Sequence, residues 1–491
     1  MSHITGTDRS QSNMFPPTMD EMVAQDNTVR VIDLFVDRFD LKKLSFMHSV
    51  ASEEGRPPYL PADMMKLYLY GYLNRIRSSR KLEKECERNI ELIWLMKGLR
   101  PRYHTIDGSK FRAQNASKNN FNEKKIERQL LYIDEKINQY MNELTELDKQ
   151  ENGDRQMDVE KIKSRIKTQE QRRKKYESLR EELKQSGEEQ ISTTDKDARS
   201  MIINHGRIEV AYNTQTATDA KNCLIVHYET TNTNDRKALF NAATQTKNNL
   251  QKESIEVLAD KGYHNGEQLH TCRENNIITY VAVPEVPRPK MVNVPTSDYF
   301  GEKFIYNEPD DSFTCPEGKI MKTNGNWYSK HYDTPVKHYK TPACSDCKVK
   351  TLCTANPRGR LMERSKYAGA AEQNKKRTET EKEKYLLRQQ IVEHPFGIIK
   401  RQWGYDHVLM KGKQKNEAEF GLIFSAFNLR RIISILGING LKKRLRGTFF
   451  NFYILYHAIS VHVRKYFSPD YHALYSQIAK KSYICGSYCT D

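Results

Sequence analysis

The chain has 491 residues, enough for roughly two to four domains with cores of their own, and 80 Lys and Arg against 63 Asp and Glu leave a formal charge of +17. Such a basic excess favours a polyanionic partner, because each neutralised phosphate releases counterions. Polar opening residues, with Asp20, Glu21 and Asp26, argue against a secretory leader. The longest apolar stretch, Thr448 to Val463, is too short for a bilayer and holds Asn451, His457 and His462. The expectation is a soluble, cytoplasmic protein with no membrane partner and with its nine cysteines reduced.

Residues 15–106 read as a helical N-terminal domain, with helical patterning over Met19 to Phe46 and Pro61 to Leu99. A basic turn, Arg75-Ile76-Arg77-Ser78-Ser79-Arg80, separates two of its helices, with Ser78 or Ser79 placed to cap a helix running through Leu95. That arrangement is compatible with a helix-turn-helix gripping DNA through Arg77 and Arg80. Over 120–190, Ile126, Leu130, Ile133, Ile137, Tyr140, Leu144 and Leu147 step alternately by four and three. Glu151 to Asp154 breaks that seam, and Ile162, Ile166, Tyr176, Leu179 and Leu183 resume a stripe. The prediction is a projecting antiparallel helical hairpin with a basic second arm containing Arg172 to Lys175.

From Ile208 the pattern turns to strands. Ile208 to Asn213 and Cys223 to Tyr228 read as a β pair joined across Thr218 to Lys221. A helix from Asp235 to Leu250, a strand ending at Asp260, a helix from Gly266 to Asn275 and a strand over Ile277 to Val283 follow. Strands alternating with helices predict an α/β sheet. Residues 286–370 form a Cys-rich insertion, helical patterning returns from Ala371 to Ile438, and 441–491 is a C-terminal tail.

Asp260 ends the apolar run Ile255 to Ala259, where a buried strand delivers one carboxylate to a sheet edge. Asp107, in Ile106-Asp107-Gly108-Ser109-Lys110, and Glu393, in Val392-Glu393-His394-Pro395-Phe396-Gly397, supply two more. Carboxylates are hard oxygen ligands suited to Mg2+ or Mn2+, and a pair of such ions stabilises both the attacking and the leaving oxygen in phosphoryl transfer.

These segments, together with Ala211-Tyr212-Asn213-Thr214-Gln215 and Ala259-Asp260-Lys261-Gly262-Tyr263, resemble a bacterial insertion-sequence transposase of the DDE class over about 55–440. The resemblance implies an RNase H-like mixed sheet flanked by helices, built from 107–285 and 371–440. It also implies metal-dependent cleavage of transposon ends and strand transfer into target DNA by Asp107, Asp260 and Glu393, with a homodimer joining two ends. The family's Tyr-Arg-Glu-Lys helix is matched by Tyr385, Arg388, Glu393 and Lys400, with one extra residue between Arg388 and Glu393. The last of these lies seven residues beyond Glu393 and is expected on its helical face. Phosphate contacts would fall to Tyr385, Arg388 and Lys400.

In the family, a helical stretch and an apolar strand separate a His-Thr-Ile segment from the first Asp. Here His104-Thr105-Ile106 runs straight into Asp107, behind Arg100-Pro101-Arg102-Tyr103, a poor strand. The difference implies an in-frame deletion and, as an alternative function, a catalytically impaired DNA-binding relative. Finally, Cys315, Cys344, Cys347 and Cys353 could hold one structural Zn2+ and staple the insertion.

Overall fold

The computed structural model describes residues 10, 17–41, 58–102, 119–149, 156–202, 208–233, 235–284, 295–329 and 334–446. Asp107 and the junction ahead of it therefore lie outside the described residues, as does the C-terminal tail beyond 446. The chain divides into two compact units, one formed by Met1–Asn234 with His394–Asp491 and the other by Asp235–Glu393.

The helices in chain order are α1 (Thr28–Val36), α2 (Pro61–Leu73), α3 (Ser79–Arg88), α4 (Ile90–Leu95), α5 (Glu123–Lys149), α6 (Gln156–Ser186), α7 (Leu239–Leu250), α8 (Gly266–Glu274), α9 (Lys350–Cys353), α10 (Ala368–Thr380), α11 (Lys382–Phe396) and α12 (Lys413–Arg446). The first strands are β1 (Asn120–Asn122), β2 (Gln190–Ser192), β3 (Arg199–Ile202), β4 (Ile208–Ala211), β5 (Asn213–Thr218) and β6 (Ile225–Thr231). They are followed by β7 (Ile255–Ala259), β8 (Ile277–Val281), β9 (Ile305–Asn307), β10 (Ser312–Thr314), β11 (Ile320–Tyr328), β12 (Val336–Lys340) and β13 (Met362–Ser365). The whole is an α/β mixture of helices and sheets.

In the first unit, local chemistry sets the helix starts. Asn27 accepts the N–H of Val29 at 2.9 Å, Pro61 opens α2, and Ser78 accepts the N–H of Lys81 at 3.4 Å. The helix expected to continue through Leu95 is broken at Asn89, whose extended backbone ends α3 and whose side chain caps α4 through the N–H of Glu91. Val31, Ile32, Phe35, Leu67, Leu69, Leu92 and Leu95 pack with Leu429, Leu441 and Leu445 of α12. Each fully buried aliphatic side chain there stabilises by about 1.5–3 kcal/mol.

α12 is the spine of this unit. Long and apolar enough to cross a membrane, it nonetheless carries Glu417 and Glu419 at 4% and 0% exposure inside the protein core. Gly437, at φ 67° and ψ 163°, kinks it. Its start is capped from a distant loop: Asp195 accepts the N–H of Gly412 at 3.1 Å and Asp197 that of Lys413 at 2.8 Å. Asp195 also accepts the Tyr212 hydroxyl at 2.8 Å, between β4 and β5. The expected strand over Ile208 to Asn213 is thus two strands. β4 pairs with β3, and β6 pairs antiparallel with β5 rather than with β4.

α5 and α6 pack against each other as antiparallel arms, with Arg173 of α6 reaching Asp134 of α5. Their base is a separate core of Phe121, Ile126, Leu179, Leu183 and Ile191, closed by the β1–β2 ribbon.

The second unit holds the parallel pair β7–β8, with Leu239, Ala243, Leu269, Cys272 and Ala370 packing around Ile277 and Val281. Asn374 of α10, fully buried, accepts the N–H of Val281 at 3.1 Å and donates to its carbonyl at 2.7 Å. The Cys-rich segment makes an antiparallel sheet in the order β13-β12-β11-β10-β9 around Phe304, Phe313, Met321 and Tyr339. Beside that core, burial pushes the Asp311 carboxyl up, but bonds from Lys337, Tyr339 and Tyr306 outweigh it and hold the group at about 2.

Candidate active site

Asp260 stands at the carboxyl end of β7, the edge of a parallel sheet where ligands characteristically bind. Its backbone is extended (φ −70°, ψ 160°), and Oδ1 accepts the N–H of Lys261 at 2.8 Å, capping the short turn Lys261–Tyr263. The side chain remains 55% exposed and so is open to an incoming ligand.

Around it, Tyr263 is half-buried, and desolvation, followed by the charges of Asp235 and Asp260, holds its phenol well above the ordinary range. Asp235 was not singled out by the sequence pattern. A Cβ on Gly262 would stand 3.5 Å from its Oδ2. His264 follows, with burial depressing its imidazole and its Nε2 buried without a hydrogen-bond partner.

α11 meets Asp260 through Arg388, whose guanidinium lies 3.7 Å from Oδ1 and 5.7 Å from the centre of the Tyr385 ring. Arg388 is 18% exposed. The start of α11 is fastened by Lys384, which donates to Glu256 Oε1 at 2.7 Å and to the Tyr280 hydroxyl at 3.1 Å. The Glu256 bond, then that to Tyr280, raises the Lys384 ammonium above its usual range.

Glu393 lies on the same helix and is exposed. Five residues beyond Arg388, it projects about 140° further round the helix at 100° per residue. Among the described residues of α11, Arg388 is the one that reaches Asp260 at ion-pair distance.

Pro395 inside α11 lacks an N–H, and a π-helical turn, Gly397–Gln402, follows. Lys400 sits in that turn, exposed, 5.1 Å over the Phe396 ring. The 3.6-residue period does not run through it, so seven residues from Glu393 do not return to one face.

Arg77 is largely buried. It forms an ion pair with Glu419, donates to the His407 carbonyl at 2.9 Å and lies 4.9 Å from the Tyr405 ring centre. Arg80 is exposed on α3.

Cys315, Cys344, Cys347 and Cys353 are half-buried free thiols. Cys315 and Cys353 pack on the Phe304–Tyr339 core, Cys315 Sγ accepts the N–H of Lys319 at 3.3 Å, and a Cβ on Gly359 would meet Cys344 Sγ at 3.3 Å. Among the described residues, no three His, Cys, Asp or Glu side chains are arranged to hold a metal ion. The oxygen donors of Asp260 and Glu393 do suit a hard divalent cation.

Two family models match the chain: one described as Transposase domain (DUF772) over residues 17–114, the other as Transposase DDE domain over 314–433. The first interval contains Arg77, Arg80 and Asp107. The second contains the cysteine quartet, Tyr385, Arg388, Glu393 and Lys400, and Asp260 falls between the two. No curated protein and no solved structure matches. Both matched segments carry transposase descriptions, which supports an insertion-sequence transposase of the DDE class.

Proposed function

We propose that this transposase cleaves the ends of its element and joins them to target DNA in a metal-dependent reaction within the cytoplasm, as an RNase H-like enzyme acting on two ends as a homodimer. The observation that carries the reading is Asp260: an accessible carboxylate at the carboxyl end of a parallel strand, followed by a tight turn and faced by a guanidinium. Asp107, Asp260 and Glu393 would hold the Mg2+ or Mn2+, which when bound supplies Lewis-acid activation of the reacting oxygens. Arg388 balances the Asp260 carboxylate and leaves its Nε unpartnered, and Tyr385 supports the guanidinium from one side. Exposed Lys400 and Arg80 are suited to DNA phosphates.

Asp260→Ala and Glu393→Ala should each abolish Mg2+-dependent cleavage of DNA carrying the element's ends while leaving binding of that DNA unchanged. Cleavage retained in either variant would overturn the assignment. We also propose a structural zinc on the four cysteines, which stand in this structure as free thiols not arranged to hold a metal ion. Purified protein should contain one zinc per chain and lose it in the Cys344→Ser, Cys347→Ser double variant; zinc-free wild type would reject it.

A further inference from the structure

One side of α6 is committed to the hairpin: Ile162 is buried, and Arg173 reaches Asp134 of α5 at 3.4 Å. At 100° per residue the opposite side carries Ser164, Thr168 and Gln171, all exposed and uncharged. Lys163, Lys167 and Lys174 line one flank of this ridge, and Lys161, Arg165, Arg172 and Lys175 line the other. From Lys161 to Lys175 there are eight cations and a single carboxylate, Glu170.

Lys161 pairs with Asp158 at 3.1 Å, and Arg173 pairs with Asp134 and Glu177. Among the described residues, Lys163, Arg165, Lys167, Lys174 and Lys175 meet no carboxylate at ion-pair distance, and all five are exposed. Like charges stacked four residues apart destabilise a helix. The hairpin therefore gains nothing internally from this pattern, whereas a polyanion lying along α6 would use it.

The dimensions select the polyanion. A helix with its side chains is about 10–12 Å across, close to the roughly 12 Å width of the B-DNA major groove. Lys163 to Lys174 spans about 16 Å along the axis at 1.5 Å per residue. We infer that α6 is a DNA-binding arm that lies in the major groove, its two cationic flanks reaching the two phosphate backbones and its Ser164–Thr168–Gln171 ridge facing the base edges. The inference rests on the transposase reading and names the surface of this chain that would grip duplex DNA.

Its test is the salt dependence of binding to a short duplex, with helix content checked by circular dichroism. The triple variant Lys163→Gln, Lys167→Gln, Lys174→Gln should flatten the slope of log K against log salt by about 2–3, and Arg165→Gln, Arg172→Gln, Lys175→Gln should do the same. A control neutralising exposed Lys252, Lys322 and Lys376 should leave the slope near that of wild type. Unchanged slopes in both hairpin variants, or an equal loss in the control, would overturn the arm while leaving the transposase reading intact. Equal losses on single-stranded DNA would overturn the groove fit. Wild type that binds no duplex would overturn both this inference and the proposed function.

Discussion

Arg77 shows how a basic residue beside a helix start can serve the interior. Glu419 is fully buried on α12, and the Arg77 guanidinium together with the N–H of Leu409 are the partners that make its charge tolerable there. Removing one partner of a buried pair leaves an uncompensated charge and costs about 3–5 kcal/mol, whereas replacing both by apolar groups can be close to neutral. Arg77→Ala should therefore lower the urea midpoint of the first unit sharply, and Arg77→Met with Glu419→Leu should recover much of the loss. If Arg77→Ala keeps its midpoint and weakens only DNA binding, the residue is a phosphate contact after all. Nothing local distinguishes Arg77 from exposed Arg80, because the partner that claims it lies 342 residues away. Asp260 is the opposite case: an apolar run, a carboxylate and a glycine turn are adjacent in sequence, so its place at a strand end was legible.

Two buried asparagines dock helices onto strand ends. Asn428 of α12 accepts the N–H of Ile225 at 2.9 Å and donates to its carbonyl at 2.8 Å, as Asn374 of α10 does with Val281. Each side-chain amide supplies what a neighbouring strand would, satisfying backbone groups that could not be left unpaired in a buried place. Asn374→Leu should strand both groups of Val281 and destabilise the second unit by about 2–4 kcal/mol, read from its urea midpoint. A loss below about 1 kcal/mol would mean that water replaces the amide. The hairpin arms were legible because a seam repeated over many turns is a local signal. The strand pairing was not. Tyr212 leaves the ladder to reach Asp195, which divides one apparent strand in two, and the partner of β4 is the short segment β3. In α11, Pro395 and the π-helical turn shift the phase that a 3.6-residue count assumes, so the spacing of Glu393 and Lys400 did not translate into a shared face.

At the scale of the whole molecule, the candidate residues are distributed across the two units: Asp260, Arg388 and Glu393 belong to Asp235–Glu393, whereas Lys400, Arg77 and Arg80 belong to the other. Sequence order conceals this division, because the second unit is inserted between stretches that form the first. The Asp235–Glu393 unit has its own buried clusters, one around Leu239, Leu269, Cys272 and Val281 and one around Phe304, Phe313 and Tyr339. A segment with its own cores folds alone when few of its apolar groups depend on the rest of the chain. An Asp235–Glu393 fragment should therefore melt in a single cooperative transition. Cys272 provides a second readout, since burial pushes its thiol up to about 12, leaving almost no thiolate at pH 8. In the native fragment Cys272 should react with iodoacetamide at least about 100-fold more slowly than in urea. Lacking Asp107, the fragment should not cleave DNA. Rapid labelling of Cys272 without denaturant would show that this core forms only in the intact chain.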